Sequence, residues 1–357
     1  MEAHGSQVES GRRASPNSAR VTIAILNYDG RELLDVVVPS VLAQRFREHR
    51  VMVVDDGSHD GSVEYVRARW PSVEIVEIRA NVGITAALNR AVRAADGEFI
   101  ALLNNDIELE PTWLGELVAA LDAHPEAASA SGKLLSYHDR KRIDAAGDLL
   151  LWSSAVFNRG AGETDVGQFD EAEAVFSACA AAALYRRSAF DIVGEFDESF
   201  FAYLEDVDWG MRAQLLGLGS WYAPAAVGYH MGGATTRKQQ GLYVRHQRRN
   251  QLLLVIKTFP TAALVRHGWK IVANQLLTLA ASARDRTLGS HLRGWFDVLV
   301  LLPRALRARR EIQRSRIVGM RELNAAITGP LPVSGSRLER LLFELAPLTV
   351  SRGRRRG

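Results

Sequence analysis

The chain has 357 residues, enough for one large domain with an appendage or for two domains, and its 47% apolar and 24% charged residues are those of a folded globular protein. A single cysteine, Cys179, excludes an internal disulfide and a cysteine-based zinc site, which points to a reducing cytosol. The net charge of +3 hides a division: residues 1–236 hold 20 basic and 35 acidic side chains, residues 237–357 hold 24 and 6, so −15 is followed by +18.

Residues 1–19 are polar, rich in Ser and Gly, and read as a disordered tail. No apolar run follows Arg12 and Arg13, so a secretory signal is not expected. The fold starts with the apolar run 21–26, of strand length, which stops at Asn27 and Gly30. Leu33, Leu34, Val37, Val41 and Leu42 then recur at helical spacing. Residues 50–55 predict a second strand, ending in Asp55-Asp56-Gly57-Ser58, and residues 60–69 a helix capped by Asp60. Residues 73–78 alternate as a strand, Asn81-Val82-Gly83 opens a helix reaching about residue 95, and residues 98–103 form a fourth strand before Asn104-Asn105-Asp106. Strands alternating with helices predict an α/β fold, a mainly parallel sheet with helices on both faces. Ligands of such sheets bind beyond the carboxyl ends of the strands, where Asn27, Asp55, Asp56 and Asp106 all fall.

From about 130 to 236 the pattern is less regular, with a surface loop over 159–173 and helices over 186–193 and 205–216. From 241 onward it is helical; over 264–280, Trp269, Val272, Leu276 and Leu279 share one face and Arg266, Lys270 and Asn274 another. No uninterrupted apolar stretch reaches the ~18 residues of a membrane-spanning helix, and no internal repeat is present.

Each acidic motif has a plain reading beside a chemical one. The carboxylate of Asp55 suits a ribose hydroxyl or a base nitrogen that presents a donor, whereas a turn and helix cap alone explains Gly57, Ser58 and Asp60. Asp106 suits a hard cation on a diphosphate, which needs only one or two protein carboxylates, whereas Asn and Asp are common at strand-to-turn junctions anyway. Glu205, Asp206 and Asp208 suit the first turn of a helix by charge alone, yet three acids beside the aromatic run at 200–203 crowd one another, and crowding raises the pKa of a general base. His230 follows both acid clusters, among glycines that let a backbone approach phosphates. Neither a Gly-x-x-x-x-Gly-Lys phosphate loop nor a Gly-x-Gly-x-x-Gly turn after a strand occurs. A metal-holding acid and a later proton-accepting acid together are what sugar transfer from an activated nucleotide requires.

In this order, the stretches 21–30, 53–62, 81–89, 101–114, 178–212 and 230–236 resemble family 2 glycosyltransferases of the GT-A fold. More narrowly, they resemble the bacterial rhamnosyltransferase-like branch that builds cell-envelope polysaccharides and glycolipids. The resemblance covers about residues 20–260. It implies a Rossmann-like GT-A domain over 20–240, with a nucleotide-sugar half at 20–130 and an acceptor half at 131–240, followed by a basic amphipathic helical region at 241–357. It implies inverting transfer from a nucleotide-diphosphate sugar, here L-rhamnose from dTDP-rhamnose, to a glycan or polyprenyl-linked acceptor. Carried over by residue, Asp55 contacts the base, with Asn27 and Asp56 in the same pocket and Asn81, Gly83, Asn104, Asn105 and Glu205 around the donor. Asp106 and His230 hold Mg²⁺ or Mn²⁺, Asp206 is the catalytic base, and Arg248 and Arg249 lie where relatives place phosphate-binding residues. Asn104 stands where the family's metal motif has its first Asp, which predicts modest metal affinity.

The +18 tail and the amphipathic pattern predict contact with an anionic membrane surface, on the cytoplasmic face of the inner membrane. Nucleic acid is not the expected partner, and a homo-oligomer stays open. The competing readings are transfer of another sugar (galactofuranosyl, glucosyl or N-acetylhexosaminyl, decided near residues 178–184 and Trp152), a non-catalytic membrane-docked scaffold, and a nucleic-acid-binding tail.

Overall fold

The structure is a computed structural model that describes residues 19–232 and 240–327. The expected tail up to residue 18, residues 233–236 of the glycine- and threonine-rich stretch, and the basic residues beyond 327 lie outside the described residues.

Strand β1 (Val21–Asn27) is buried along its whole length, as befits the middle of a parallel sheet. It pairs in parallel with β2 (His49–Asp56) on one side and β4 (Phe99–Asn104) on the other, and β3 (Glu74–Ile78) continues the sheet beyond β2. Helices α1 (Arg31–Leu42), α2 (Ser62–Arg69) and α3 (Ile84–Ala94) make the crossovers, as the sequence pattern predicts. Asp60 serves two of them: one carboxylate oxygen accepts from Ser62 N at 3.0 Å, the other from Arg31 N at 2.8 Å.

Alternate residues of β1 feed two cores. Val21, Ile23 and Ile25 pack with Leu34, Val37 and Val41 of α1 and with Leu117 and Leu121 of α4 (Trp113–Ala123). Ala24 and Leu26 pack with Ala87, Leu88 and Ala91 of α3, with Phe190 of α5 (Arg187–Val193) and with Trp209 of α6 (Glu205–Leu215).

The region that reads irregularly in sequence completes the sheet. β11 (Ala182–Arg186) is antiparallel to both β4 and β6 (Ala127–Ser136), and β12 (Gly219–His230) runs parallel to β6. The full order is β10-β12-β6-β11-β4-β1-β2-β3, with β5 (Ile107–Leu109) on β12, β7 (Ile143–Ala145) on β6, and β10 spanning Glu173–Val175. A separate hairpin joins β8 (Asp148–Leu150) to β9 (Val156–Asn158). These strands were hard to read because several have only three residues and their partners lie far away in sequence.

Four helices follow: α7 (Gln240–Thr258), α8 (Thr261–Arg284), α9 (Leu288–Ser315) and α10 (Met320–Ile327). They share a core with the sheet domain, in which Leu253, Leu254 and Phe259 meet Phe176, Phe200, Val207 and Met211. Trp152 belongs to that core: it is buried against Phe259 and His267, and its indole NH donates to Asn324 Oδ1 at 2.9 Å.

Candidate active site

The ends of β1, β2 and β4 bring the first group of candidates together. Asn27 Nδ2 donates to Asp55 Oδ2 at 2.9 Å, and its Oδ1 accepts from Asn105 Nδ2 at 2.8 Å. Ser58 donates to both oxygens of Asp55, through N at 2.9 Å and Oγ at 2.7 Å. A Cβ on Gly30 would meet the Asn105 carboxamide and the Asn27 side-chain oxygen, so a larger residue here would force those side chains to shift. Asp56 faces a different segment, accepting from Val82 N at 2.9 Å and Gly83 N at 3.0 Å. Burial pushes its pKa up, the two amide donors opposing. Asn81 Oδ1 also accepts from Gly83 N, at 3.1 Å. Gly83 has φ +89°, and a Cβ there would strike the ring and carbonyl of Phe201. The turn after β3 therefore touches the loop that leads to Asp206.

Asp106 follows β4, and β12 carries His230 to it. The His230 ring lies between two carboxylates, with Nε2 3.3 Å from Asp106 Oδ1 and Nδ1 2.7 Å from Asp144 Oδ2. Burial disfavours charge on this ring, but the bonds to Asp106 and Asp144 outweigh it and lift the pKa to about 10. Among the described residues no group of three or more His, Cys, Asp or Glu side chains is placed to hold a metal ion. Asp106 and His230 nevertheless fit a shared cation. The carboxylate oxygen of Asp106 and the Nε2 of His230, 3.3 Å apart, are a hard oxygen and an imidazole nitrogen that would together hold a divalent cation on a diphosphate. Asp144 holds Nδ1 and leaves Nε2 as the coordinating nitrogen, so loading a metal would release the proton shared there.

The third group surrounds Asp206, at the start of α6. Asp206 Oδ2 accepts from Ala180 N at 3.2 Å and Oδ1 from Val207 N at 2.8 Å. Next to Ala180, the carbonyl of Ala181 accepts from Asn104 N at 2.9 Å, which ties Asp206 to the end of β4. Asp206 is half-buried, and burial pushes its pKa up. Two further carboxyls share its surroundings. Glu205 is buried, its Oε2 has no hydrogen-bond partner, and burial followed by the charge of Asp206 lifts it to about 8. Asp148 is buried, accepts from Ser177 Oγ at 3.0 Å, and is pushed well up by burial and by Asp206. Three carboxyls in one low-dielectric patch resist ionising together, so the patch retains protons near neutrality.

The loop into α6 is strained. Phe201, Tyr203 and Leu204 all have positive φ, of 60°, 72° and 66°, which side-chain-bearing residues adopt at a cost. Helix α7 holds that conformation. Asn250 Nδ2 lies 3.0, 2.8 and 2.7 Å from the carbonyls of Phe200, Ala202 and Tyr203, and Arg249 Nη2 donates to Phe200 O at 2.6 Å. Arg249 thus faces the loop backbone. Arg248 reaches Gln251 Oε1 at 3.3 Å, and its Nε is buried without a partner. Burial lowers the pKa of both guanidinium groups. Lys257 anchors the other end of α7, with Nζ 2.7 Å from both Asp208 and Asp197. Burial would raise Asp197, but the Lys257 charge overrides it and holds that carboxyl well below the usual range.

Sequence reasoning missed Asp144, Asp148, Asn250 and Lys257. A buried-looking Asn and Lys inside the apolar helical run 250–259 was the available signal, since each needs a partner there. Asp144 and Asp148 sit on three-residue strands with no motif around them.

Residues 22–194 match the family described as Glycosyl transferase family 2. The N-acetylglucosaminyl-diphospho-decaprenol L-rhamnosyltransferase of Mycobacterium tuberculosis is 26% identical over 260 residues, covering 65% of this chain and 83% of that protein. The O-antigen biosynthesis protein RfbC of Myxococcus xanthus is 28% identical over 209 residues, covering 56% of this chain but only 16% of that protein. Among solved structures, GalNAc-T7 with UDP, GalNAc and Mn²⁺ aligns with a TM-score of 0.56 at 14% identity, covering 79% of this chain and 56% of that one. The mannosyltransferase PcManGT of Pyrobaculum calidifontis, with GDP-Man and Mn²⁺, aligns at 0.51 and 17% identity, covering 87% of each. These likenesses establish the GT-A fold, a mostly parallel central sheet with helices and a C-terminal helical region.

Proposed function

Because residues 22–194 belong to glycosyl transferase family 2, we propose that the protein is an inverting transferase that moves a sugar from a nucleotide-diphosphate donor to an acceptor hydroxyl, with Asp206 as the base. The observation that carries this reading is the position of Asp206. It is a half-buried carboxylate with a raised pKa, tied through Ala180 and Ala181 to the strand end that bears Asp106. The acceptor oxygen gives its proton to Asp206 as it attacks the anomeric carbon from the face opposite the diphosphate. The bond from that carbon to the diphosphate oxygen breaks, and the nucleoside diphosphate leaves. Asp55 and Asn27 orient the nucleotide, and Asp56 holds the turn at Val82 and Gly83 against the loop of Phe201. A divalent cation held by Asp106 and His230 would supply the charge that stabilises the leaving diphosphate.

L-Rhamnose from dTDP-rhamnose is the donor we favour, supported by the name of the mycobacterial relative, which also favours a polyprenyl-linked acceptor over a free glycan. Among the described residues no helix is long and apolar enough to cross a membrane. A lipid-linked acceptor would then be met by peripheral attachment, on the cytoplasmic face.

Nucleoside-diphosphate release from a panel of UDP-, GDP- and dTDP-sugars, with Mg²⁺ or Mn²⁺ and then with EDTA, tests the reading. Asp206→Asn should keep donor binding within twofold and lose transfer by about 10³-fold, since the amide cannot take the proton. Wild-type turnover in that variant would remove Asp206 from its role. No release and no binding with any donor would favour a non-catalytic scaffold.

A further inference from the structure

Helices α8 and α9 turn apolar stripes outward and bury polar residues beside the Ala263, Ile271, Val298 and Ala305 that join the core. On α8, the residues turned to the protein include Asn274, Gln275 and Ser282. Asn274 Nδ2 donates to Ser153 O at 3.0 Å, Gln275 Nε2 to Gln251 Oε1 at 3.2 Å, and Ser282 Oγ bonds His291 Nδ1 at 2.8 Å. The opposite stripe, Val265, Trp269, Val272 and Leu276, is apolar and 56–82% exposed. These four follow one another at a turn's spacing along one side. Helix α9 repeats the arrangement. His291, Gly294, Val298 and Ala305 face inward, where a Cβ at 294 would crowd the backbone of α7, while Leu292, Phe296 and Leu299 face out. Trp295 Nε1 donates to Gln275 Oε1 at 3.2 Å and keeps the two helices side by side. A helix in water arranges itself the other way, apolar side in and polar side out. Two adjacent apolar stripes of this size mark a surface built to leave water.

We propose that this pair of helices is a lipid-facing surface that lies in the headgroup region of an anionic bilayer. It deepens the reading of a lipid-linked acceptor and rests on that reading for its purpose, though not for its chemistry. Charge selects the occupant. Residues 240–327 carry 16 basic and 4 acidic side chains. Arg266 and Arg284 on α8, and Arg293 and Arg310 on α9, are exposed beside the stripes. Apolar residues that enter the interface, with arginines that reach anionic headgroups, are the pattern of an interfacial helix. A second copy of so basic a surface would be repelled, and among the described residues no helix is long and apolar enough to span a membrane. The same bundle carries Asn250, so the loop of Asp206 is fastened to the part of the protein nearest the lipid.

The test is sedimentation of the full chain with vesicles of phosphatidylcholine alone or with added phosphatidylglycerol. Binding should be at least tenfold tighter to the anionic vesicles. The pair Val272→Glu and Leu276→Glu should weaken it at least tenfold, and Arg293→Gln with Arg310→Gln should weaken it threefold or more. Bromine-labelled lipid should quench wild-type tryptophan fluorescence, and Trp269→Phe should remove most of the quenching, a readout independent of whether the glutamate variants fold. Absence of vesicle binding, or binding unchanged in the glutamate pair, would overturn the proposal. So would a wild-type dimer in ultracentrifugation that Leu276→Glu dissociates, which would assign the stripes to a second copy. Sugar transfer to a water-soluble acceptor is followed in parallel: vesicle binding without transfer from any donor would sink the enzymatic reading and leave the lipid surface standing.

Discussion

The two sides of the site are held in different ways. On the side we assign to the nucleotide, the candidate residues cluster at strand ends, Asp55 and Asp56 sharing β2, and neighbouring strands bring Asn27, Asp55 and Asn105 into direct hydrogen bonds. On the acceptor side, Asp206 stands at the end of a strained loop that does not hold itself. Its shape depends on Asn250 and Arg249, more than 40 residues further along. The first side is a product of sheet topology, and the second of a helix that reaches back. Substitutions in α7 should therefore damage the acceptor side and spare the nucleotide side.

The largest effect is expected at Lys257. Replacing it with Met takes away the cation that Asp208 and Asp197 share, leaving the fully buried Asp208 with Arg212 alone and Asp197 with Arg304 alone. The cost should be about 3 kcal/mol, the low end for a broken buried ion pair because the two arginines remain, which chemical denaturation would register. Donor binding preserved below the melting transition would sharpen the division; loss of both sides together would erase it.

Asn250→Ala is next. It removes the donor that faces three loop carbonyls, at a cost of about 1–3 kcal/mol, and lets the base drift. Transfer should fall by about 10²-fold, with the donor KM within twofold. A raised donor KM at unchanged kcat would break the comparison.

Glu205 gives a pH test. Its carboxyl sits at about 8 in the folded chain against 4.5 when unperturbed. Below the lower value both states keep the proton and nothing is lost. Between the two, the unfolded chain releases it and the folded chain does not, so stability falls as pH rises. Glu205→Gln should match the wild type at acid pH and exceed it by a growing margin as pH rises toward the upper value, read from melting curves across pH.

The smallest effect concerns Asp144. Asp144→Ala frees the His230 ring to turn, and Mn²⁺ affinity, measured by titration calorimetry, should drop about 10-fold. Unchanged affinity would take His230 out of the metal's reach.

Legibility follows the same division. Runs such as 21–26 and 98–103 are long, continuous and punctuated by Asn, Asp and Gly, so both the strands and the residues at their ends show in the sequence. The acceptor side is assembled from three-residue strands and from pairs such as His230 with Asp144 and Asp148 with Ser177, whose partners are 86 and 29 positions apart. Period alone carries no signal for such pairs. The direction in which α8 faces was also hidden. Its two faces could be told apart, but only the packing of Asn274 and Gln275 inward shows which one meets solvent.

The clasp between Asn250 and the Phe200–Tyr203 carbonyls also bears on how this protein can be cut and recombined. Among the described residues the last strand ends at His230, and a boundary soon after it looks like the natural edge of a transferable catalytic unit. A chain trimmed there would keep every residue of the nucleotide side and discard the peg that sets its base. Chimeras that trade C-terminal helices between relatives inherit the same constraint. The helix around position 250 has to travel with the loop it grips, as one heritable piece, and the outer pair travels with it, since Gly294 and Gln275 pack on that helix.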